Sequence, residues 1–273
     1  MDLLLFCKAH GILIDRLPPI GVWRRFPTED HPHKRNGAVK YMGDHAFVQN
    51  HATNTEISLW RPDETVKIDH AKIARDVQAA EDKRKADQVE ATKRAAYIIG
   101  QSQLARHDYL KRKGFPDGEG YVWVNDHRQF LVLPMRVDHH LVGCQLIDPE
   151  GGKKFLYGQR TSGATLTIDN KGVHILCEGY ATALSVQATL KKYKRRYTIH
   201  VCFSAGNMKK VAANLPSGYV IADNDASGTG ERVAKEIGWP YWMSDVVGED
   251  ANDVYQRLGA FAFGQSLLKV LRY

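Results

Sequence analysis

The chain has 273 residues, of which 43% are hydrophobic and 25% are charged, and it carries a formal net charge of +7. This composition excludes a fully disordered chain, and its longest apolar runs, such as Leu3–Phe6, are far too short to cross a bilayer. The first residues do not form a secretory signal, so we expect a cytoplasmic protein without a membrane partner. The excess of cations suits a polyanionic partner.

The first 65 residues predict a small β-rich domain. A short helix closed by Gly11 is followed by short apolar runs that alternate with turn pairs such as Asn36-Gly37 and Gly43-Asp44. Aromatic and basic residues are interleaved here, which fits either a small core with surface charge or a surface that stacks on single-stranded nucleic acid. The basic residues of this pattern are Arg24, Arg25, Lys34 and Arg35.

Residues 66–104 predict a charged helical linker. From about Asp69 to Ile99 the sequence contains neither proline nor glycine and is rich in alanine and charged residues. Its apolar positions are too sparse for a coiled coil over several heptads. We therefore expect a helix that is solvated along its length.

Residues 105–170 predict a mixed α+β subdomain. Apolar runs at Gln129–Pro134 and Leu141–Ile147 are separated by a polar turn, which favours a β-hairpin. Residues 171–273 alternate strands and helices, with strands expected at Val173–Cys177, Thr198–Phe203 and Tyr219–Ala222. Strand–helix alternation indicates α/β architecture with a parallel sheet flanked by helices. This last segment has thirteen basic and nine acidic residues, so it holds most of the net positive charge.

The four cysteines are Cys7, Cys144, Cys177 and Cys202, and no two of them are close in sequence. The last three stand in apolar runs that predict strands, which favours buried, reduced cysteines. Cys7 is interpreted as a packing residue of the first helix. Its spacing to His10, with His31 and His33 further on, leaves a zinc site open, but zinc is not expected.

Acidic residues follow two of the predicted strands. Glu178 comes directly after one strand, and Asp223 and Asp225 follow another. Because the carboxyl ends of parallel strands meet at one edge of a sheet, these carboxylates can converge. Three converging carboxylates favour a bound divalent cation, with Mg2+ as the hard ion that suits oxygen ligands. A D-x-D pair by itself is also compatible with ordinary turn or helix-cap roles.

The segments ILCEGYATALS, FSAGNM, IADNDASGTGERVA and GEDANDVYQRL together resemble the Toprim domain of primases, and most closely the primases of phages and conjugative plasmids. The flanking segments FLVLPMRVDHHLVGCQLIDPEGGKKFLYG and RFPTEDHPHKRNGAVKY resemble the regions that precede Toprim in those primases, so the resemblance extends over nearly the whole chain. It implies a Toprim-like parallel sheet, preceded by the mixed α+β subdomain and the β-rich domain. Toprim domains also occur in topoisomerases and nucleases.

The resemblance implies magnesium-dependent synthesis of short RNA primers on single-stranded DNA. It places the metal-binding and catalytic carboxylates at Glu178, Asp223 and Asp225, with Asp250 and Asp253 in a later acidic segment; Asp253 is taken as a further ligand. Mn2+ is an alternative to Mg2+. The sequence departs from the cellular bacterial primases at Thr182, where they usually have an aspartate. It also lacks the cysteine set of zinc-binding primases.

Primer synthesis needs cations for triphosphates and for the template. Lys153 and Lys154 are the first candidates, and Arg136, Arg160 and Lys209 are further ones. The resemblance also favours template contact for the four basic residues of the first domain. The basic run 191–196 ends a helix, where cations are favoured by the helix dipole, and is more simply a solvated face.

Two other functions stay open at this stage: a Toprim-type nuclease that uses the same carboxylates, and a replication-associated module that binds DNA without catalysis. The lack of a histidine beside either acidic motif argues weakly against a nuclease. The sequence contains no G-x-x-x-x-G-K-[ST] motif, so a separate replicative helicase is expected as a partner. The other expected partners are single-stranded DNA and nucleoside triphosphates, in the cytoplasm of a bacterial host.

Overall fold

The structure is a computed structural model that describes residues 1–53, 56–62 and 70–271, with only the backbone of His70. The chain divides into two compact units, Met1–Ala86 and Asp87–Tyr273, and the division falls inside a helix. The boundary expected at 65/66 lies outside the described residues. No described helix is both long enough and apolar enough to cross a membrane.

The first unit contains a four-stranded antiparallel sheet in the order β1-β2-β3-β4. Helix α1 (Leu3–Ala9) begins at Asp2, whose Oδ1 accepts the Leu5 N–H at 2.7 Å, a typical N-cap. Cys7 is fully buried in the core against the sheet, so its role is packing. The strands are β1 (Trp23–Phe26), β2 (Gly37–Tyr41), β3 (Ala46–Asn50) and β4 (Ser58–Trp60).

The long helix α2 (His70–Gly100) corrects the prediction of a solvated linker. In its C-terminal half, Ala91, Ala95 and Ile98 are almost fully buried in a core shared with Val132 and Cys144. Their spacing of four and three residues places them on one face of the helix. Two of these three residues are alanines, which raise the hydrophobicity of the helix sequence only slightly. The buried face is therefore hard to detect in a sequence that is rich in charged residues.

The second unit begins with an antiparallel sheet in the order β5-β6-β7-β8-β9. The short helix α3 (Asp108–Arg112) lies between its first two strands in the sequence. One face of the sheet packs on α2, and residues of the other face, such as Leu131 and Ile147, pack with Tyr109 and Leu110. The strands are β5 (Gln103–Arg106), β6 (Glu119–Asn125), β7 (Arg128–Val137), β8 (His140–Ile147) and β9 (Lys153–Phe155), so the predicted hairpin is β7–β8.

The second sheet has the order β10-β12-β11-β13-β14. Strands β11 to β14 run parallel to one another, and β10 pairs antiparallel with β12. The boundary expected at 170/171 therefore differs from the structure, because β10 precedes it in the chain but belongs to this sheet. The strands are β10 (Leu166–Asp169), β11 (Val173–Cys177), β12 (Tyr197–Val201), β13 (Tyr219–Ala222) and β14 (Tyr241–Met243).

Helices cover both faces of the parallel sheet. Alternate residues of β11 point to opposite faces, so Ile175 and Cys177 belong to one core and Leu176 to the other. The first core includes α4 (Tyr180–Lys192) and α7 (Ala251–Val270), and the second includes α5 (Ala205–Ala212) and α6 (Thr229–Ile237). Because strands β11 to β14 are parallel, the loops that leave their carboxyl ends lie at one edge of the sheet.

Candidate active site

A cavity of about 250 Å³ lies at the carboxyl edge of the parallel sheet. It is lined by three carboxylates from three different loops, namely Glu178, Asp223 and Asp250. The sequence predicted that Glu178, Asp223 and Asp225 would converge; the structure brings the first two together in the cavity, whereas Asp225 does not line it. The other lining residues are Tyr109, Lys113, Gln145, Lys153, Phe155, Gly179, Ala181, Thr182 and Phe203.

Glu178 is positioned by the starts of two helices. It directly follows β11 and precedes Gly179, the N-cap of α4, and its carboxylate accepts the backbone N–H of Ala205 at the start of α5. Burial raises the pKa of Glu178, with a further rise from the charge of Asp225, while Lys153 and the Ala205 N–H oppose the shift. The carboxylate is thus easier to protonate than one in water.

Asp223 is the most perturbed acid of the cavity. Burial, followed by the charges of Glu178 and Asp250, raises its pKa to about 7. Its Oδ1 atom is buried and has no hydrogen-bond partner within the described part of the chain. An unpartnered buried carboxylate oxygen is costly for a fold, so it marks a position where a ligand is expected.

Asp225, two residues further on, is in the opposite state. Burial alone would raise its pKa, but hydrogen bonds from the Ser227 hydroxyl and from the backbone N–H groups of Gly230, Thr229 and Ser227 lower it. This carboxylate therefore lies at the N-terminus of α6 and stays ionised. It does not line the cavity, yet its charge acts on both Glu178 and Asp223.

Gly230 is required by the close approach of α6 to the preceding strand. A Cβ atom at this position would lie 2.1 Å from the backbone oxygen of Asp223, inside any van der Waals contact. The glycine therefore lets the helix start directly against the acidic motif.

The later acidic segment differs from the prediction, because Asp250 rather than Asp253 lies at the cavity. The two residues form a capping box at the start of α7. The Asp250 side chain accepts the Asp253 N–H at 2.9 Å, and Asp253 Oδ2 accepts the Asp250 N–H at 3.1 Å. Asp253, which was expected to ligate metal, does not line the cavity, and its carboxylate is engaged in starting the helix. Asp250 shares the capping box through Oδ1 but does line the cavity.

The loop that carries Asp250 is fixed from both sides. Asn224, the middle residue of the D-N-D motif, donates its Nδ2 to the Ser244 oxygen at 2.9 Å and accepts the Gly248 N–H at 2.6 Å. Arg257 forms two hydrogen bonds to the Glu249 carboxylate, of 2.8 and 2.7 Å. The acidic motif and the loop before α7 are therefore held as one assembly.

Lys153 and Lys154 are separated by the alternation of β9. Lys153 lines the acidic cavity, where its charge lowers the pKa values of Glu178 and Asp223. Lys154 lines a different surface pocket, with Asp108 and Asp148 among its neighbours. Successive side chains of a strand point to opposite faces, so only one of the two lysines reaches the carboxylates.

The other predicted cations do not line the acidic cavity. Arg136 donates to the His139 oxygen, and Arg160 Nε donates to the Ser162 oxygen, each at 3.0 Å. Lys209 forms an ion pair with Glu236 on α6. The basic residues predicted to contact template in the first unit, Arg24, Arg25, Lys34 and Arg35, are all exposed.

Within the described residues, no three His, Cys, Asp or Glu side chains are arranged to ligate one metal ion. The orphaned Asp223 Oδ1 and the adjoining Glu178 and Asp250 still fit a hard divalent cation. Mg2+ is commonly held by one or two carboxylates, with water and substrate phosphates completing its shell. The residues present therefore suit a magnesium ion whose remaining ligands are water and phosphate, and they do not form a site in which protein side chains supply every ligand.

No protein-family model matches the sequence, and no curated protein matches it either. Among solved structures, the chain is similar to the primase fragment of the bacteriophage T7 primase-helicase protein. The identity is 13% and the TM-score is 0.43, over 91% of this chain and 99% of that chain. A similarity at this level does not by itself assign a fold family or an activity.

Sequence reasoning missed Tyr109, which the preceding subdomain brings to the cavity, and Asn252 of α7, which bonds that subdomain without lining the cavity. Tyr109 is buried, and burial together with the charge of Asp250 raises its pKa to about 12, so the phenol stays protonated. Asn252 is fully buried and donates to the Lys113 oxygen at 2.8 Å and to Ser185 Oγ at 3.0 Å. The N in GEDAND was the one available signal for Asn252, since a polar residue next to a capping box needs a partner once it is buried.

Proposed function

We propose that this chain is a Toprim-type DNA primase, which joins ribonucleotides on a single-stranded DNA template by magnesium-dependent nucleotidyl transfer. The observation that carries the proposal is the buried, unpartnered Asp223 oxygen in a cavity lined by two further acids and two lysines, Lys113 and Lys153. Such an arrangement is unstable without a cation and is suited to a phosphate-bearing substrate once a cation is bound.

Asp223, with Glu178 or Asp250 as a second carboxylate, would hold magnesium, and Asp225 adds negative charge from outside the cavity. When bound, Mg2+ supplies charge neutralisation for phosphoryl transfer, and Mn2+ is a chemically similar substitute. The raised pKa of Asp223 means that ion binding displaces a proton near neutral pH. Thr182 lines the cavity at the sequence position where the cellular primases usually carry an acid, and Asp250 is a further acid of the same cavity.

Lys153 is the residue placed to bind the triphosphate of the incoming nucleotide. In the proposed reaction the primer 3′-oxygen attacks the α-phosphorus, a new phosphodiester bond forms, and the bond to the leaving pyrophosphate breaks. Glu178, whose pKa is raised by burial, is suited to accept the proton of the 3′-hydroxyl. Lys153 stabilises negative charge on the phosphates throughout.

The basic residues of the first unit are the proposed contacts for the template. Arg24 and Arg25 stand on β1 beside the exposed Trp23, so cations and an aromatic ring are combined in one strand. This combination suits single-stranded DNA without selecting a sequence. A separate replicative helicase is the proposed partner, and the bacterial host cytoplasm is the proposed location.

The direct test is primer synthesis by the purified chain. It is incubated with single-stranded DNA, four ribonucleoside triphosphates with one labelled, and Mg2+, and the products are separated on a denaturing gel. We expect short labelled products that disappear in EDTA. The variant Glu231→Gln, which loses an exposed ion pair with Lys235 and keeps an amide oxygen that can accept from the Tyr241 hydroxyl, serves as the matched carboxylate control.

The same assay separates the three functions that the sequence left open. Short labelled products support a primase. Cleavage of end-labelled DNA without synthesis would make the chain a metal-dependent nuclease. DNA binding with neither synthesis nor cleavage, under conditions where the chain is folded, would make it a non-catalytic binding module, and either result would overturn the proposal.

A further inference from the structure

Two phenylalanines line the acidic cavity and have no role in the chemistry proposed above. Phe155, the last residue of β9, and Phe203, between β12 and α5, pack edge to face with ring centroids 6.2 Å apart. We call this pair the aromatic wall. Phe155 leaves 44% of its surface exposed, so its ring is available for contact from the cavity.

The backbone of Phe203 is unusual. Its φ angle is 66°, in the left-handed region that is rare and strained for a bulky residue. The position is fixed because the Phe203 N–H donates to the backbone oxygen of Glu178 at 2.9 Å and Ser204 is the N-cap of α5. A glycine or an asparagine would fit this backbone with less strain. What the phenylalanine ring adds is contact, because it packs against two hydrophobic cores and also lines the cavity.

The aromatic wall stands next to the site proposed for phosphates. Lys153 and Phe155 are two residues apart on β9, so their side chains share one face and are about 7 Å apart along the strand. The Lys153 charge acts on both Glu178 and Asp223. A ligand that reaches from the lysine to the rings therefore combines phosphate with a flat apolar group.

We propose that the aromatic wall is a stacking site for the nucleobase of an incoming nucleotide whose phosphates lie at Lys153. This inference rests on the proposed function, and it adds how the base is held. Aromatic stacking accepts every base, because each base has a π-face, and it favours the larger purines. The site therefore leaves the choice of base to the template.

The test compares a nucleotide with its phosphate part alone. Binding of ATP and of inorganic tripolyphosphate is measured by calorimetry in Mg2+ without template, for the full chain and for Phe155→Leu and Phe203→Gly. We expect each variant to lose about tenfold in ATP affinity and less than twofold in tripolyphosphate affinity. Phe155→Trp keeps a stacking face, so it should retain or improve ATP binding.

Tyr157→Leu is the matched control, because Tyr157 is two residues further along the chain, is 82% exposed and does not line the cavity. It should bind both probes as the unaltered chain does. Unchanged ATP affinity in Phe155→Leu, or equal losses for ATP and tripolyphosphate, would overturn the inference. Thermal unfolding of each variant identifies any that fail to fold, and Phe155→Leu, altered at a half-exposed residue, then decides the question.

A second experiment distinguishes the base of an incoming nucleotide from a base of the template strand as the group that stacks on the aromatic wall. Binding of a ten-residue oligothymidylate is measured for the same variants in the absence of nucleotide. A loss confined to the oligonucleotide would assign the wall to a template base and overturn the assignment to the nucleotide.

The two proposals fail in different ways. If the chain makes no primers while ATP binding depends on the wall, the stacking site stands and the polymerase activity falls. If the chain makes primers while ATP affinity is unchanged by substitution of either phenylalanine, the polymerase activity stands and the stacking site is wrong.

Discussion

The parallel sheet of the second unit carries two polar clusters in opposite states. One is the acidic cavity at its carboxyl edge. The other, here called the histidine cluster, comprises Thr167, Asp169, His174, Thr198 and His200 on β10, β11 and β12. Its groups are joined by hydrogen bonds, with His174 Nδ1 3.0 Å from His200 Nε2 and Thr198 Oγ1 donating to Asp169 at 2.7 Å.

The two clusters also differ in the direction of their pKa shifts. Burial and the neighbouring His174 lower the pKa of His200 to about 4, so that ring stays neutral and well satisfied near neutral pH. Burial and neighbouring acids raise the pKa of Asp223 to about 7, and one of its oxygens lacks a partner. Polar burial that is satisfied stabilises a fold, whereas polar burial that is left unsatisfied points to a ligand.

The largest expected effect is on synthesis by Asp223→Asn. The amide keeps the shape of the side chain but removes the charge that would hold a cation, so primer synthesis should fall by at least about 100-fold. At the same time the metal-free variant should unfold at a higher temperature, because a buried carboxylate is neutralised. Synthesis is read from gels and stability from circular dichroism. Near-normal synthesis by this variant would show that Asp223 is not a residue of the catalytic site.

The next effect is on the pH dependence of stability, where the clusters oppose each other. Asp223 binds its proton more tightly when folded, so its contribution falls as pH rises from about 4 to about 7, by up to ~4 kcal/mol. His200 binds its proton less tightly when folded, so its contribution is full above pH 6.5 and is lost as pH falls towards about 4, by up to ~3 kcal/mol.

Variants separate these two contributions. In urea titrations of the metal-free chain between pH 4 and 8, Asp223→Asn should gain stability relative to the unaltered chain as pH rises. His200→Gln should lose less stability than the unaltered chain as pH falls below 6.5. Parallel pH profiles for all three chains would show that neither shift is real. Added Mg2+ should restore the stability that Asp223 loses between about pH 4 and pH 7 in the unaltered chain and in His200→Gln, but not in Asp223→Asn.

A smaller effect separates the two lysines of β9. Lys153→Met removes one of the two lysines that line the acidic cavity, the one whose charge acts on Glu178 and Asp223, and should raise KM for ribonucleotides about tenfold. Lys154→Met should change KM less than twofold. Steady-state synthesis at varied nucleotide concentration measures both. Equal effects of the two substitutions would mean that the strand alternation does not decide which lysine meets the substrate.

The smallest effect is expected in the histidine cluster. His200→Gln retains hydrogen-bonding groups and lies outside the cavity, so primer synthesis per folded molecule should stay within twofold of normal. A large loss of synthesis at unchanged stability would mean that the contrast between the clusters is wrong and that the histidines take part in function.

The sequence predicted the strands that bear the acids. Residues Val173–Cys177 and Tyr219–Ala222 are strands with the expected bounds, because short apolar runs end at turn-forming residues there. Strand β10 was missed because alternation in LTID is brief and half polar, and its pairing with β12 depends on a distant segment. Antiparallel addition at a sheet edge leaves no local signal.

The convergence of Glu178 and Asp223 followed from topology, but the choice between Asp250 and Asp253 did not. Both are acids in one short segment, and only the capping geometry of α7 determines which of them lies at the cavity. Phe155 and Phe203 are likewise 48 positions apart, so their pairing required the three-dimensional fold. The local pattern of apolar and polar residues predicts helices and strands, whereas the contacts of a side chain depend on how those helices and strands pack.

The buried face in the C-terminal half of α2 determines where the chain can be truncated to express the second unit. A fragment that starts at residue 105, where the linker was expected to end, would lack Ala91, Ala95 and Ile98 and would leave Val132 and Cys144 open to water. Such a fragment would aggregate for reasons unrelated to catalysis. Expression of the second unit alone therefore has to begin upstream of Asp87, so that the helix turn carrying Ala91 is complete.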